Sequence, residues 1–287
     1  MGTITTLTVD VRSRFAEPTA KFILDSEIMT WFNFAIQDIV TKTECIEDIR
    51  SFATVLNQME YTLPANFIKT SGLFYWNGGL SYRLIPKDLR SWGYLISGNP
   101  ASDSDPTHYN LWSNKFRLYP IPPANAETTT LNGGISAVDT TITVVSTTDF
   151  NIWGRVKIGS EIISYTSTTA TTLTGCTRGE EGTTAAIHLT GATVTHNDLL
   201  LYYFRKGTAV TAGGDTPEIP DQYHELLVLY AVSIALRKDN KHADADKWLA
   251  QYERGLDLMK SELWLRRRDQ SASIKDEDLI EQDYLGS

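Results

Sequence analysis

The side chains with the most chemical potential are five histidines, two cysteines and a few paired carboxylates, and their spacing assembles little. His224-Glu225 opens like the helical H-E-x-x-H of zinc proteases, where a second histidine one turn on shares the metal and the glutamate is the general base. Position 228 is Val228, so the pair is read as the polar shoulder of a helix. His188 and His196 have no third ligand close in sequence and are read as surface histidines. His108 borders a polar loop, and His242 lies on the first turn of a helix. Glu180-Glu181 and Asp244-Asp246 are spaced like acid–base dyads, but without the aromatic residues that grip sugar rings beside glycosidase carboxylates. They are read as exposed loop and helix charges. Neither a G-x-S-x-G elbow nor a G-x-x-x-x-G-K-[ST] phosphate loop occurs, and the glycine pairs at 78–79, 133–134 and 213–214 are turn signals. Arg266, Arg267 and Arg268 suit a helix C-terminus, where cations meet the negative end of the dipole, or an acidic partner, better than specific DNA contact. The sequence therefore assigns no catalytic, cofactor-binding or metal-binding residue. The chain is read as not an enzyme, and a cell-wall or polysaccharide hydrolase is the weakest of the function classes considered.

Composition points the same way. A chain of 287 residues is long enough for one large or two modest domains with a sizeable core. The net charge of −9 argues against a molecule held to nucleic acid by phosphate contacts. No apolar run is long enough for a membrane span, and the N-terminus does not read as a secretory leader. Cys45 and Cys176 are too few for a disulfide framework and lack metal spacing, which fits synthesis in a reducing cytoplasm.

The strongest element signal lies at 219–265. It reads as two antiparallel helices separated at Asp239-Asn240, with Pro220 at the first helical position. Tyr223, Leu226, Leu227, Tyr230, Ile234 and Leu236 mark the apolar face of the first helix. Ala245, Trp248, Leu249, Tyr252, Leu256, Met259 and Leu263 mark that of the second. A third helix is expected over 25–42, capped by Asp25 or Ser26, with Ile28, Trp31, Phe32, Ala35, Ile36, Ile39 and Val40 on one face. Residues 1–24 are expected to begin extended, with a short helix near Phe15 to Phe22, and a further helical piece is expected over 46–57. Alternation and turn residues then predict strands at 61–63, 73–76, 81–85, 109–112 and 115–119, with a helical turn opening at Pro86 to Leu89.

The sharpest compositional boundary follows. Residues 128–197 contain 20 threonines, and short β runs are expected at 141–145, 155–158 and 161–165. The segment reads as a small inserted β domain rather than a disordered linker. Strand language resumes at 199–204, which is expected to neighbour 115–119 across the insertion. The fold class is α+β: a helical bundle with a small antiparallel sheet, interrupted by a separate all-β domain. The body spans 1–127 and 198–268. The tail 269–287 carries six carboxylates against one lysine and is too polar to hold a fold alone.

The order of these segments carries a resemblance. EIMTWFNFAIQDIV leads to Tyr61-Thr62-Leu63-Pro64, an aromatic hairpin, Tyr119-Pro120-Ile121-Pro122-Pro123, LLLYYF and IPDQYHELL, and then an Ala-containing helix and a last helix near Ala243. This resembles the head-to-tail adaptor proteins of tailed bacteriophages over about 25–125 and 198–265. The insert, above all 158–192, is similar to the small β modules embedded in phage tail, baseplate and fibre proteins. The resemblance implies a structural virion protein at the neck, forming a ring, dodecameric by analogy, between portal and tail. DNA would pass through the ring as cargo. The helices would pack on neighbouring copies, and the C-terminal segment would reach the portal protein. The residues this nominates for portal contact are Arg266, Arg267, Arg268, Ile274, Leu279, Ile280, Tyr284 and Leu285. Residues 128–197, which compact adaptors lack, would project towards tail, nozzle or fibre components. The alternative is a tail-associated binding module whose β domain recognises a fibre or a host-surface glycan. No cofactor and no membrane partner are implied.

Overall fold

A computed structural model describes residues 2–77, 80–97 and 104–272, with side chains as far as Leu265. Helices α1 (Ile4–Phe15) and α2 (Asp25–Thr43) come first. Strands β1 (Glu47–Phe52), β2 (Glu60–Thr62), β3 (Phe67–Asn77), β4 (Leu80–Arg83) and β5 (Ile85–Pro86) follow, then α3 (Leu89–Ile96), β6 (His108–Trp112) and β7 (Lys115–Tyr119). The threonine-rich segment carries β8 (Thr128–Thr130), β9 (Thr141–Thr143), β10 (Gly154–Ile158), β11 (Glu161–Tyr165), β12 (Ser167–Thr168), β13 (Thr172–Thr174), β14 (Thr177–Glu180) and β15 (Thr193–His196). Strand β16 (Leu199–Arg205) leads to a 3-10 turn and to α4 (His224–Lys238) and α5 (His242–Ala272). The architecture is α+β. The chain divides into two compact units, one of residues 1–47 and 204–287 and one of residues 48–203.

The helical unit is built around α4. Its buried residues include Leu226, Leu227, Val228, Leu229, Ala231, Val232, Ser233 and Ala235, which cover most of the helix's circumference. A helix so widely buried belongs inside a bundle, and α4 packs against α1, α2 and α5. The expected stripe is therefore too narrow: Tyr230, Ile234 and Leu236 are only half-buried. On α2, all seven apolar residues named from the sequence are buried. Along α5, Ala245, Tyr252, Leu256 and Met259 are buried. At Gly255 a methyl group would lie 2.5 Å from Leu226 Cδ2, so α4 and α5 approach closely there.

Several expectations fail in this unit. Residues 4–15 are helical rather than extended. Thr3 caps the start, Ala16 ends it in the left-handed region, and Ile4, Leu7 and Val11 form the buried stripe while Val9 stays exposed. Threonine and valine favour strands, but packing at helical spacing overrides that preference. The N-cap of α2 is Leu24, whose N–H donates to Glu27 Oε2 at 3.0 Å. Asp25 turns instead to the buried Arg12, accepting from its Nε at 2.9 Å. Pro220 precedes a short 3-10 turn, and α4 begins four residues later at His224.

In the β unit, one sheet has the order β1-β16-β3-β4 and another β2-β7-β6-β5. They share a core that includes Tyr61, Leu73, Tyr109, Phe116, Leu118 and Leu201. Strands β3 and β4 pair as an antiparallel hairpin, with Phe74 opposite Arg83 and Asn77 opposite Leu80. Residues 47–52 form a strand, not a helix, because they lie along β16 as the sheet's edge. The expected pairing of 115–119 with 199–204 is also wrong: β7 lies between β2 and β6, while β16 lies between β1 and β3. The two strands contribute to one core from different sheets. The threonine-rich segment forms sheets of order β14-β11-β10-β15-β8 and β12-β13-β9 around its own core of Leu131, Ile142, Val144, Val156, Ile158, Ile163, Leu173 and Val194.

Candidate interaction surfaces

The residues nominated for partner contact lie on or beyond α5. Arg266, Arg267 and Arg268 fall on its last turns, since the helix continues to Ala272. Ile274, Leu279, Ile280, Tyr284 and Leu285 lie outside the described residues. The buried face of α5 stops at Met259. Beyond it Leu263 is half-buried and Trp264 and Leu265 are more than half exposed. The helix thus overruns its support. Trp264 and Leu265 flank an open groove of about 600 Å³, closed on its other side by Lys42, Thr43 and Glu44 at the C-terminus of α2.

A second feature fastens the threonine-rich segment to β1. The Glu181 carboxylate is nearly inaccessible to solvent, accepting from Arg155 at 2.7 Å and from the Ser51 N–H at 2.8 Å. Arg50 pairs with the same group at 3.3 Å and also donates to the Glu181 carbonyl. Asn197 donates to Ser51 Oγ at 2.7 Å. Asp198 accepts from the Thr54 N–H at 2.7 Å and from the Thr54 hydroxyl. Burial pushes Asp198 up to about 7 although the Thr54 hydrogen bonds favour its ionised form. Burial likewise pushes His196 down to about 4.

A third feature braces the outer loops of the segment. Glu161 Oε1 accepts from Arg178 Nε at 2.8 Å and from the Gly179 N–H at 3.1 Å. Oε2 accepts from Arg178 Nη2 at 2.8 Å and the Ala186 N–H at 3.1 Å, and lies 2.7 Å from His188 Nε2. Burial alone would raise this carboxyl; the hydrogen bonds from Arg178 and His188 outweigh that and hold it at about 2. The carboxylate is saturated, so it braces a loop rather than offering a proton. The braced loop presents Ile187 and Leu189 to solvent, and Val138 is also exposed.

These placements correct four readings. His188 is bonded to Glu161, His196 is buried, Glu181 is buried with two arginines, and His224 is buried with Nε2 2.8 Å from the Ile219 carbonyl. Only Glu225 of the His224-Glu225 pair is exposed, and it joins Arg14. Asp244 and Asp246 are surface charges, paired with Lys247 and Arg237. The bracing of Glu161 escaped the sequence reading, although its signal was present. The run Thr177-Arg178-Gly179-Glu180-Glu181-Gly182 sets a cation immediately before two glycines that adopt positive φ, at 179 and 182, which lets the chain fold back over the Glu161 carboxylate. Among the described residues, no group of three or more histidine, cysteine, aspartate or glutamate side chains is placed to hold a metal. No helix among them is long and apolar enough to cross a membrane.

The α+β chain carries a braced threonine-rich β segment and a helix that runs beyond its buried face. This is a phage structural adaptor. The family model described as SU10 adaptor protein matches residues 3–275, and the chain belongs to that family. No curated protein matches the chain.

Proposed function

We propose that the chain is a subunit of a closed ring at the neck of a tailed-phage virion, between portal and tail, that extends the DNA channel. The overrun of α5 is the observation that carries this reading. A long helix whose support ends at Met259, and whose next turns expose Trp264 and Leu265, leaves apolar surface that a soluble monomer gains nothing by displaying. Arg266 to Arg268 and the segment 273–287 continue from that point towards the portal. Closure follows from head-to-tail contacts between copies. The acidic character of the subunit lets DNA pass as cargo without being gripped. The module of 128–197 projects from the ring as a rigid arm, with Ile187, Leu189 and Val138 meeting a tail or fibre component.

The test is reconstitution. Full-length chain is mixed with purified portal and the product is imaged by electron microscopy. A ring docked on the portal is expected, with density for residues 273–287 on portal subunits. Monomers that leave portal unoccupied at micromolar concentrations would overturn the proposal.

A further inference from the structure

Strand β6 is paired along its whole length on one side and along less than half of it on the other. Each residue from His108 to Trp112 faces one of β7. On the opposite edge β5 meets only His108 and Tyr109. The cause is the chain that follows β5. Lys87 donates its N–H to the Tyr109 carbonyl at 2.8 Å, and Asp88 then caps α3 by accepting from the Ser91 N–H at 2.8 Å. The backbone thus turns away into a helix and leaves the rest of the edge open. In an antiparallel pair, successive residues turn their backbone groups towards the partner and away from it. Tyr109 presents its carbonyl to the β5 side, so Leu111 presents its N–H and C=O to that side, while Asn110 and Trp112 turn theirs to β7. Among the described residues no strand pairs with Leu111 there.

Asn110 supplies a second observation at the same place. It is 3% exposed, and its Nδ2 donates to the Lys87 carbonyl at 2.7 Å, standing in for the strand that β5 does not continue. Its Oδ1 is buried without a hydrogen-bond partner. An acceptor left in that state costs free energy that an incoming donor recovers. Asn110 and Leu111 border one groove of about 410 Å³, which Leu89 and Trp112 also line with exposed apolar surface. Asp88 lines it too, but both of its carboxylate oxygens are engaged by Ser91. Lys87 lines it and has no ion pair among the described residues.

We propose that this groove takes an extended segment of a partner protein, added to the edge of β6 where β5 stops. The segment exchanges backbone hydrogen bonds with Leu111 and donates a further N–H to Asn110 Oδ1. Its alternate apolar side chains cover Leu89 and Trp112, and a carboxylate on it meets Lys87. A helix satisfies its own backbone and has nothing to give Leu111, so the open edge selects an extended chain. The surface lies within the β unit, and the inference does not depend on ring formation.

The experiment selects binders to the full-length chain from a displayed library of random short peptides, then measures the strongest, as a synthetic peptide, by fluorescence polarisation. Alternating apolar residues with an acidic one are expected. Affinity is expected to fall roughly tenfold with Leu111→Pro, which removes the outward N–H and none of the bonds to β7, a change that strand edges tolerate. Leu111→Ala keeps the N–H and is expected to bind more tightly than Leu111→Pro. Lys87→Glu is expected to weaken the acidic peptide. A further measurement needs no variant. In the free chain the Leu111 amide is expected to exchange faster than those of Asn110 and Trp112, and to slow roughly tenfold with saturating peptide. A selection that returns no peptide, or peptides that bind Leu111→Pro as tightly as the unaltered chain and leave Leu111 exchange unchanged, would overturn the proposal. Slow exchange at Leu111 in the free chain would also overturn it, and a dependence of that exchange on protein concentration would assign the edge to a second copy.

Discussion

The helical unit and the threonine-rich module are held together by different means. In the helical unit the backbone satisfies itself, so stability reduces to covering apolar surface. Helix α4 does this over most of its circumference, and α2 commits a stripe of buried residues. The module is made of short strands and long turns around a small core. Its loops cannot be fixed by that core, and two buried carboxylates fix them instead: Glu161 gathers donors from Arg178, His188 and two backbone N–H groups, and Glu181 gathers Arg50, Arg155 and the Ser51 N–H. The lesson is that a threonine-rich segment with a small core can fix its loops through a few buried carboxylates that gather several donors each.

Experiments can break this contrast. Phe32→Ala should be the most damaging change, because it opens a cavity in the helical core. The expected loss is about 4 kcal/mol, read as a lowered denaturation midpoint of the helical transition. Exchange in the threonine-rich module should stay as it was, and an equal loosening there would show that the two units do not fold separately. Glu161→Gln should cost the module about 3 kcal/mol, since it leaves the buried Arg178 without its counter-charge. The readout is hydrogen exchange over residues 178–188, and a small change there would mean the core rather than the carboxylate holds the loop.

Asp198 sharpens the comparison through pH. Its folded pKa, about 7, lies above that of the unfolded chain, so the protonated form favours folding. The stabilisation is full below the unfolded carboxyl value near ~4 and is lost as pH rises through about 7. Stability of the β unit should fall between these limits by at most about 1.4 kcal/mol per pH unit. Asp198→Asn should flatten that slope, and an unaltered slope would assign the titration elsewhere. The smallest effect is expected from Thr3→Ala. The cap it removes is a long hydrogen bond of 3.4 Å to the Thr6 N–H, so the loss should be about 0.5 kcal/mol, visible as fraying of α1 by exchange.

What could be read beforehand follows a physical line. The face of α2, the strands of the β3–β4 hairpin, and the strands β10 and β11 were legible because each rests on local periodicity or turn chemistry. Helix α1 and strand β1 were not, since their residues are ambivalent and neighbours remote in sequence decide the outcome. The buried histidines and Glu181 were misread for the same reason. Nothing adjacent to His196, His224 or Glu181 announces that a distant strand, turn or arginine will cover it. Of the nominated contact residues, the three arginines are placed on a helix that runs further than its apolar stripe foretold.

By itself the sequence determined the α+β class, the threonine-rich composition of residues 128–197 and the adaptor resemblance, because composition and periodicity are local properties and segment order is written in the chain. Tertiary structure alone decided which strands became neighbours, which charges were buried, and where the support of α5 ended. Those outcomes depend on residues far apart in sequence, such as Arg50, Arg155 and Glu181, meeting in space so that the burial of one charge is offset by the others.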